Sequence, residues 1–219
     1  MIDLDKLRIF QDKLSKKVMT KDSFKKPIRS VSGIDVAYLN EQAIVSIAVF
    51  NYQNKEFVDN IISIEDVSFP YIPGFFGFRE GTIIIKTIKK LNFDSDIIMV
   101  NAHGIAHPRK YGCASHIGVI TKKATIGVVN NILYGHCKRK PLNVGDWVPL
   151  ENENQIIGAV LKSKKGCKPI IVSPGHLITL ESALVIVKKF LKGHKFPEPL
   201  HVAHVIAKQK RREILESRL

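Results

Sequence analysis

Asp35 is the one carboxylate in the apolar run Val31-Ser32-Gly33-Ile34-Asp35-Val36-Ala37-Tyr38. Burying an unpaired charge there costs several kcal/mol, so Asp35 is a hydrogen-bonded structural group, a solvated strand end or a cation ligand. A second carboxylate, Glu80, closes the stretch Phe69-Pro70-Tyr71-Ile72-Pro73-Gly74-Phe75-Phe76-Gly77-Phe78-Arg79-Glu80. Proline fixes φ, so the two prolines around Tyr71 present that ring on a stiff turn. A rigid aromatic suits insertion between nucleobases, where stacking contributes roughly 1–3 kcal/mol. The same cluster of rings is also what a hydrophobic core looks like. Asn101-Ala102-His103-Gly104-Ile105-Ala106-His107-Pro108-Arg109-Lys110 follows an apolar run and offers two imidazoles and two cations. Loops at the carboxyl ends of strands commonly bind ligands, although a lone histidine is often a satisfied structural one. Ser173-Pro174-Gly175-His176 follows another apolar run, and His201 and His204 lie one helical turn apart. An imidazole can complete a metal site otherwise made of oxygens.

These residues need a frame. Leu4, Leu7, Phe10, Leu14 and Val18 have helical spacing and predict an N-terminal amphipathic helix over about 3–18. Three β-rich runs at 31–39, 43–50 and 57–67, separated by short polar stretches, predict antiparallel strands joined by hairpins. Residues 75–91 have the length and apolar content of a helix, 96–100 reads as a strand, 112–120 as a tightly packed helix and 125–129 as a strand. That strand, helix, strand order predicts parallel pairing. Runs at 147–150, 155–161 and 169–173 suggest an added ribbon. Thr179 is a candidate N-cap for a helix at 182–191, and a last helix occupies about 200–216. The expected fold class is α/β, a mixed central sheet flanked by helices, in one domain covering 1–219.

At 219 residues and 24.6 kDa, with 45% hydrophobic and 25% charged residues, the chain is long enough to bury a core without staples. The composition excludes collagenous and largely disordered readings. No apolar run has the length of a membrane span and the first 29 residues are charged throughout, so a cytoplasmic protein is expected. Cys113, Cys137 and Cys167 match neither a zinc pattern nor a disulfide framework and read as reduced bystanders. The net charge of +14 is uneven: residues 1–30 carry nine basic and four acidic side chains, 31–160 twelve and twelve, and 161–219 thirteen and four. Basic ends around a neutral middle favour a polyanion as partner. No heptad or exposed apolar stripe argues for an obligate dimer, so a monomer is expected.

Together the segments GIDVAY at 33–38, PYIPGFFGFRE at 70–80, HGIAHPRKYGCASHIG at 103–118, TIGV at 125–128, SPGH at 173–176, ESAL at 181–184 and PEP at 197–199 resemble the endonuclease V family. The resemblance runs in family order over about residues 30–207. It implies a ribonuclease H-like sheet and a DNA-repair hydrolase that recognises deoxyinosine, deaminated adenine. Such an enzyme cleaves the second phosphodiester bond 3′ to the lesion and leaves 3′-hydroxyl and 5′-phosphate ends. It also implies Mg²⁺ as cofactor, with Mn²⁺ as a substitute. Carried over by position, Asp35, Glu80 and His204 become metal ligands and catalytic residues, His107 a residue of the catalytic loop, and Tyr71 the wedge at the damaged base. Pro70, Ile72, Pro73, Gly74 and Ser173 are implied to shape the substrate site. The implied partner is single- or double-stranded DNA containing deoxyinosine, with inosine RNA as a further possibility.

Two positions depart from that pattern. Asn101 stands where the family has a metal-binding aspartate, and Asn130 where it has a lysine beside the scissile phosphate. At about 3 Å and an effective dielectric near 20, the lost attraction between an anion and a dication is roughly 10 kcal/mol before desolvation. An amide oxygen still coordinates and water fills in, so the net loss is far smaller, with Asn101 a weak ligand. Even ~3 kcal/mol in the transition state slows a step about a hundredfold. The departures therefore leave two readings: a nuclease of reduced rate, or a non-cleaving binder of inosine-containing or structured nucleic acid.

Overall fold

The computed structural model describes residues 2–91 and 93–217. Its strands are β1 (Ser30–Leu39), β2 (Gln42–Asn51), β3 (Phe57–Asp66), β4 (Ile97–Val100), β5 (Ala124–Val129), β6 (Trp147–Asn152), β7 (Gln155–Leu161) and β8 (Ile170–His176). All eight join one sheet in the order β3-β2-β1-β4-β5-β8-β7-β6. The first three form the expected antiparallel meander, β1-β4 and β4-β5 pair in parallel, and the remaining pairs are antiparallel. The expected added ribbon is thus continuous with the main sheet, because β8 pairs directly with β5.

The helices are α1 (Leu4–Ser15), α2 (Thr82–Lys90), α3 (Cys113–Thr121), α4 (Leu180–Lys189) and α5 (Glu198–Glu216). Central strands buried on both faces read as nearly continuous Val and Ile, as β4 (IIMV) and β5 (ATIGVV) do. One face packs Ile34, Val45, Ile98 and Val100 against Ile84, Ile88 and Ile117 of α2 and α3. The other packs Val31, Met99, Ile126 and Val172 against Leu184, Val187, Leu200 and Ala203 of α4 and α5. Thr179 caps α4 as its position suggested, its hydroxyl accepting from the Ser182 N–H at 3.1 Å.

Three local features set the functional side chains. The helix expected over 75–91 is split: Gly77–Gly81 is a π-helical turn that leads into α2. Such an inserted residue rotates its neighbours relative to a regular helix and is frequent at functional sites. Here it leaves Glu80 and Gly81 buried. Gly33 lets α5 press onto β1, since a Cβ there would lie 2.1 Å from the carbonyl carbon of Pro199. α1 ends at Ser15 rather than 18, and Gln11 and Leu14 are its buried residues while Phe10 is 44% exposed.

Candidate active site

β1 and β4 pair in parallel up to Ile34 opposite Val100, and Asp35 and Asn101 come next on each strand. Both therefore stand at the carboxyl end of the parallel pair, although β1 runs on beside β2 with Asp35 opposite Ser46. Asp35 Oδ1 accepts from Asn101 Nδ2 at 2.8 Å, and Asp35 Oδ2 lies 2.8 Å from His204 Nδ1 on α5. Asp35 is buried, and His204 keeps 61% of its side-chain surface exposed. Glu80 is buried as well, and burial followed by the charge of Asp35 pushes its carboxyl up to about 8, with the nearby Tyr38 and Arg79 side chains acting in the opposite direction. Tyr38 itself is pushed well up by burial and by Glu80, and its hydroxyl makes no hydrogen bond of ordinary geometry.

Asp35, Asn101 and His204 are thus in direct contact, and Glu80 is within electrostatic reach of Asp35. Among the described residues, no three His, Cys, Asp or Glu side chains close into a cluster that would enclose an ion. The donor chemistry nonetheless suits a hard divalent cation: two carboxylates, an amide oxygen and an imidazole at one sheet edge. A cation between the two carboxyl groups would stabilise the charged form of Glu80, which burial and the Asp35 charge disfavour.

The second part of the site is the 69–75 loop. Tyr71 at its apex is 68% exposed and meets Phe76 edge-on at 6.3 Å. Pro70 and Pro73 flank it on the surface, with Ile72 half-buried. At the start of the loop Arg79 donates to the Phe69 carbonyl and covers the Tyr38 ring at 4.6 Å. At its end the Gly74 carbonyl accepts from Arg109 (2.8 Å), Gln11 (3.1 Å) and His107 (3.2 Å). Gly74 has φ +80°, a conformation that favours glycine, so the chain can turn its carbonyl towards these donors. His107 is buried, and burial followed by the Arg109 charge pushes its pKa down to about 4. Its Nδ1 accepts from the Arg109 backbone N–H at 3.2 Å, which leaves Nε2 as the N–H donor to Gly74. A narrow cleft of ≈ 40 Å³ opens beside Gly74, lined by Gly77, His103, His107, Tyr111 and Leu133 among others.

Sequence reasoning did not find Gln11 or Tyr38. A signal for Gln11 existed: it is the polar residue in the apolar stripe of α1, and a buried amide must find partners. Ser173 lies elsewhere than on the cleft wall, 1% exposed, with its hydroxyl accepting from the Gly104 N–H at 2.9 Å. It holds the 101–112 loop from behind. Asn130 is exposed, and the carbonyl of the next residue, Asn131, lies 3.1 Å from His103 Nε2.

An open mixed sheet of this order, flanked by helices and carrying an aspartate where its parallel pair β1-β4 ends, with a buried glutamate on the neighbouring π-helical turn, defines a ribonuclease H-like protein. The sequence matches the family described as Endonuclease V over residues 12–205. It is 34% identical over 210 residues to an endonuclease V of Roseiflexus castenholzii, covering 96% of this chain and 94% of that one. The fold superposes on a crystal structure of endonuclease V from Streptomyces avermitilis with a TM-score of 0.88 and 28% identity, over 98% and 96% of the two chains. It superposes likewise on Ciona intestinalis endonuclease V, solved in complex with a 24mer DNA containing an inosine followed by a ribo-adenosine (TM-score 0.83, 24% identity, 96% and 98% coverage). The chain belongs to the endonuclease V family, a family of DNA-cleaving hydrolases.

Proposed function

We propose that the protein recognises deoxyinosine in DNA and hydrolyses the second phosphodiester bond 3′ to it, leaving 3′-hydroxyl and 5′-phosphate ends, in a Mg²⁺-dependent reaction carried out by a cytoplasmic monomer. The observation that carries this reading is the buried pair Asp35 and Glu80, two carboxyl groups gathered at one sheet edge beside an exposed, rigidly mounted Tyr71. The Ciona intestinalis relative, crystallised with inosine-containing DNA, supports the substrate class.

Asp35, Glu80, Asn101 and His204 would hold the cation, which when bound supplies an activated water and neutralises charge on the phosphate. His204 and Asn101 fix the two oxygens of Asp35. Tyr71 offers a stacking face where the strand is distorted. On α5, Lys208, Arg211 and Arg212 continue outward from His204 and make no ion pair among the described residues, so they are free to meet phosphates.

The second reading, binding without cleavage, is favoured by Asn101: its amide donates to Asp35, where the resemblance implies an acidic ligand. A nicking assay on a deoxyinosine duplex with Mg²⁺ and with Mn²⁺ decides between them. Nicking that falls at least a thousandfold in Asp35→Ala is the expected result. Tight inosine-dependent binding with no nick at high protein concentration would establish the binder.

A further inference from the structure

We propose that Gln11, His107 and Arg109 are positioning residues that determine selectivity by holding one backbone carbonyl, that of Gly74, and with it the Tyr71 loop. The inference deepens the proposed function and rests on it.

Gln11 comes from α1, His107 and Arg109 from the loop after β4, and all three donate to the same oxygen. Gln11 is 2% exposed, and its other amide atom, Oε1, accepts from Arg109 Nε at 2.6 Å. The Arg109 guanidinium also covers the Phe75 ring at 4.9 Å. The Gln11, Arg109 and Phe75 side chains therefore interlock, and His107 is fixed by the main-chain N–H of Arg109. A carbonyl has two lone pairs, and three donors on it indicate a position held from every accessible side. The result is a turn with its apex ring in solvent and its base immobile.

Both ring nitrogens of His107 are occupied, one by the Arg109 N–H and one by Gly74. A histidine so engaged has no free nitrogen with which to move a proton during hydrolysis, so its part lies in placing the loop. Discrimination against an undamaged base depends on how well the wedge and cleft are preorganised, because a loop that must be ordered on binding spends interaction energy on every substrate alike.

The test measures cleavage of deoxyinosine and undamaged duplexes by the full chain in Mg²⁺, for the parent, Gln11→Ala, His107→Ala and His107→Gln. Gln11→Ala and His107→Ala are expected to lower the ratio of the two specificities about tenfold, KM on deoxyinosine rising more than kcat falls. His107→Gln keeps an N–H donor near Nε2 but cannot transfer a proton, and it is expected to recover the ratio lost in His107→Ala. Should Gln11→Ala fail to fold by thermal melt, Gln11→Met fills the same space without donor or acceptor and is read in its place. An unchanged ratio in the Gln11 variant overturns the proposal. So does a His107→Gln protein as slow as His107→Ala with its ratio intact, which would assign proton transfer to His107. A parent that treats the two duplexes alike would overturn the proposed function instead.

Discussion

The 69–75 loop and the carboxylates at 35 and 80 are adjacent in the fold and opposite in electrostatics. The loop is held at both ends by N–H donors that meet backbone carbonyls, Arg79 on Phe69 and three side chains on Gly74. Those bonds satisfy themselves within the polypeptide. Glu80, by contrast, is buried with Asp35 as a charged neighbour of the same sign, and burial and that charge together push its carboxyl up to about 8. The contrast teaches that the loop's polar groups are satisfied within the chain, whereas the two carboxyl groups would reach their charged form together only if a cation offset the repulsion.

Glu80→Gln breaks that contrast with the largest expected effect. A carboxyl raised from 4.5 to about 8 contributes stability that is complete below pH 4.5 and is lost as the pH climbs through 8. At pH 7 the loss is about 3 kcal/mol, because the unfolded chain releases the proton and the folded one keeps it. An amide has no proton to lose. Glu80→Gln should therefore be more stable than the parent in chelator by up to about 3 kcal/mol at pH 7, yet gain nothing from Mg²⁺ and cleave no DNA. Urea denaturation with EDTA and with Mg²⁺ reads both effects. Equal stability of the two proteins in EDTA would remove Glu80 from the strained pair.

Asn101→Asp sharpens the comparison from the other side. It adds a negative charge against Asp35, so the edge becomes more repulsive alone and a better host for a cation. Cleavage should rise between about tenfold and a hundredfold, the range of a 1.4–3 kcal/mol change in the transition state. Single-turnover nicking at saturating Mg²⁺ checks it. A rate that does not move means residue 101 does not face the ion.

The frame was legible because it is written in periodicity. The hairpin strands, the buried runs of β4 and β5 and the Thr179 cap all follow from side-chain pattern and turn chemistry. The continuity of β8 with β5 was not legible, since antiparallel partners 48 residues apart leave no local trace: Ile126 opposite Pro174 is a tertiary fact. The π-helical turn at Gly77–Gly81 was hidden for a similar reason, its composition being that of an ordinary helix start. Asp35 and Glu80 stood out as charges in apolar company, and the family resemblance supplied their pairing. Gln11 did not stand out, because the apolar spacing drew the helix face through Phe10, one residue away.

The smallest effect separates the two regions by acid. His107 and His116 are buried and neutral, both pushed down to about 4, His116 by burial between the Phe78 and Tyr111 rings. Their folded pKa lies below the ordinary 6.5, so the unfolded chain takes up protons first as the pH falls. Their contribution is whole above pH 6.5 and is lost on the way down to 4. Between pH 7 and 6 the two together lose about 1 kcal/mol. Glu80 changes in the other direction over the same interval and gains about 1 kcal/mol, since its folded form is already protonated. In EDTA the parent should therefore lose less stability from pH 7 to pH 6 than its histidines alone dictate, His103, His176 and His201 being pushed down by burial as well. Glu80→Gln, stripped of the compensating carboxyl, should decline by about 1 kcal/mol more than the parent across that step, as read by urea denaturation at the two pH values. If parent and variant change by the same amount, the titration assigned to Glu80 is wrong.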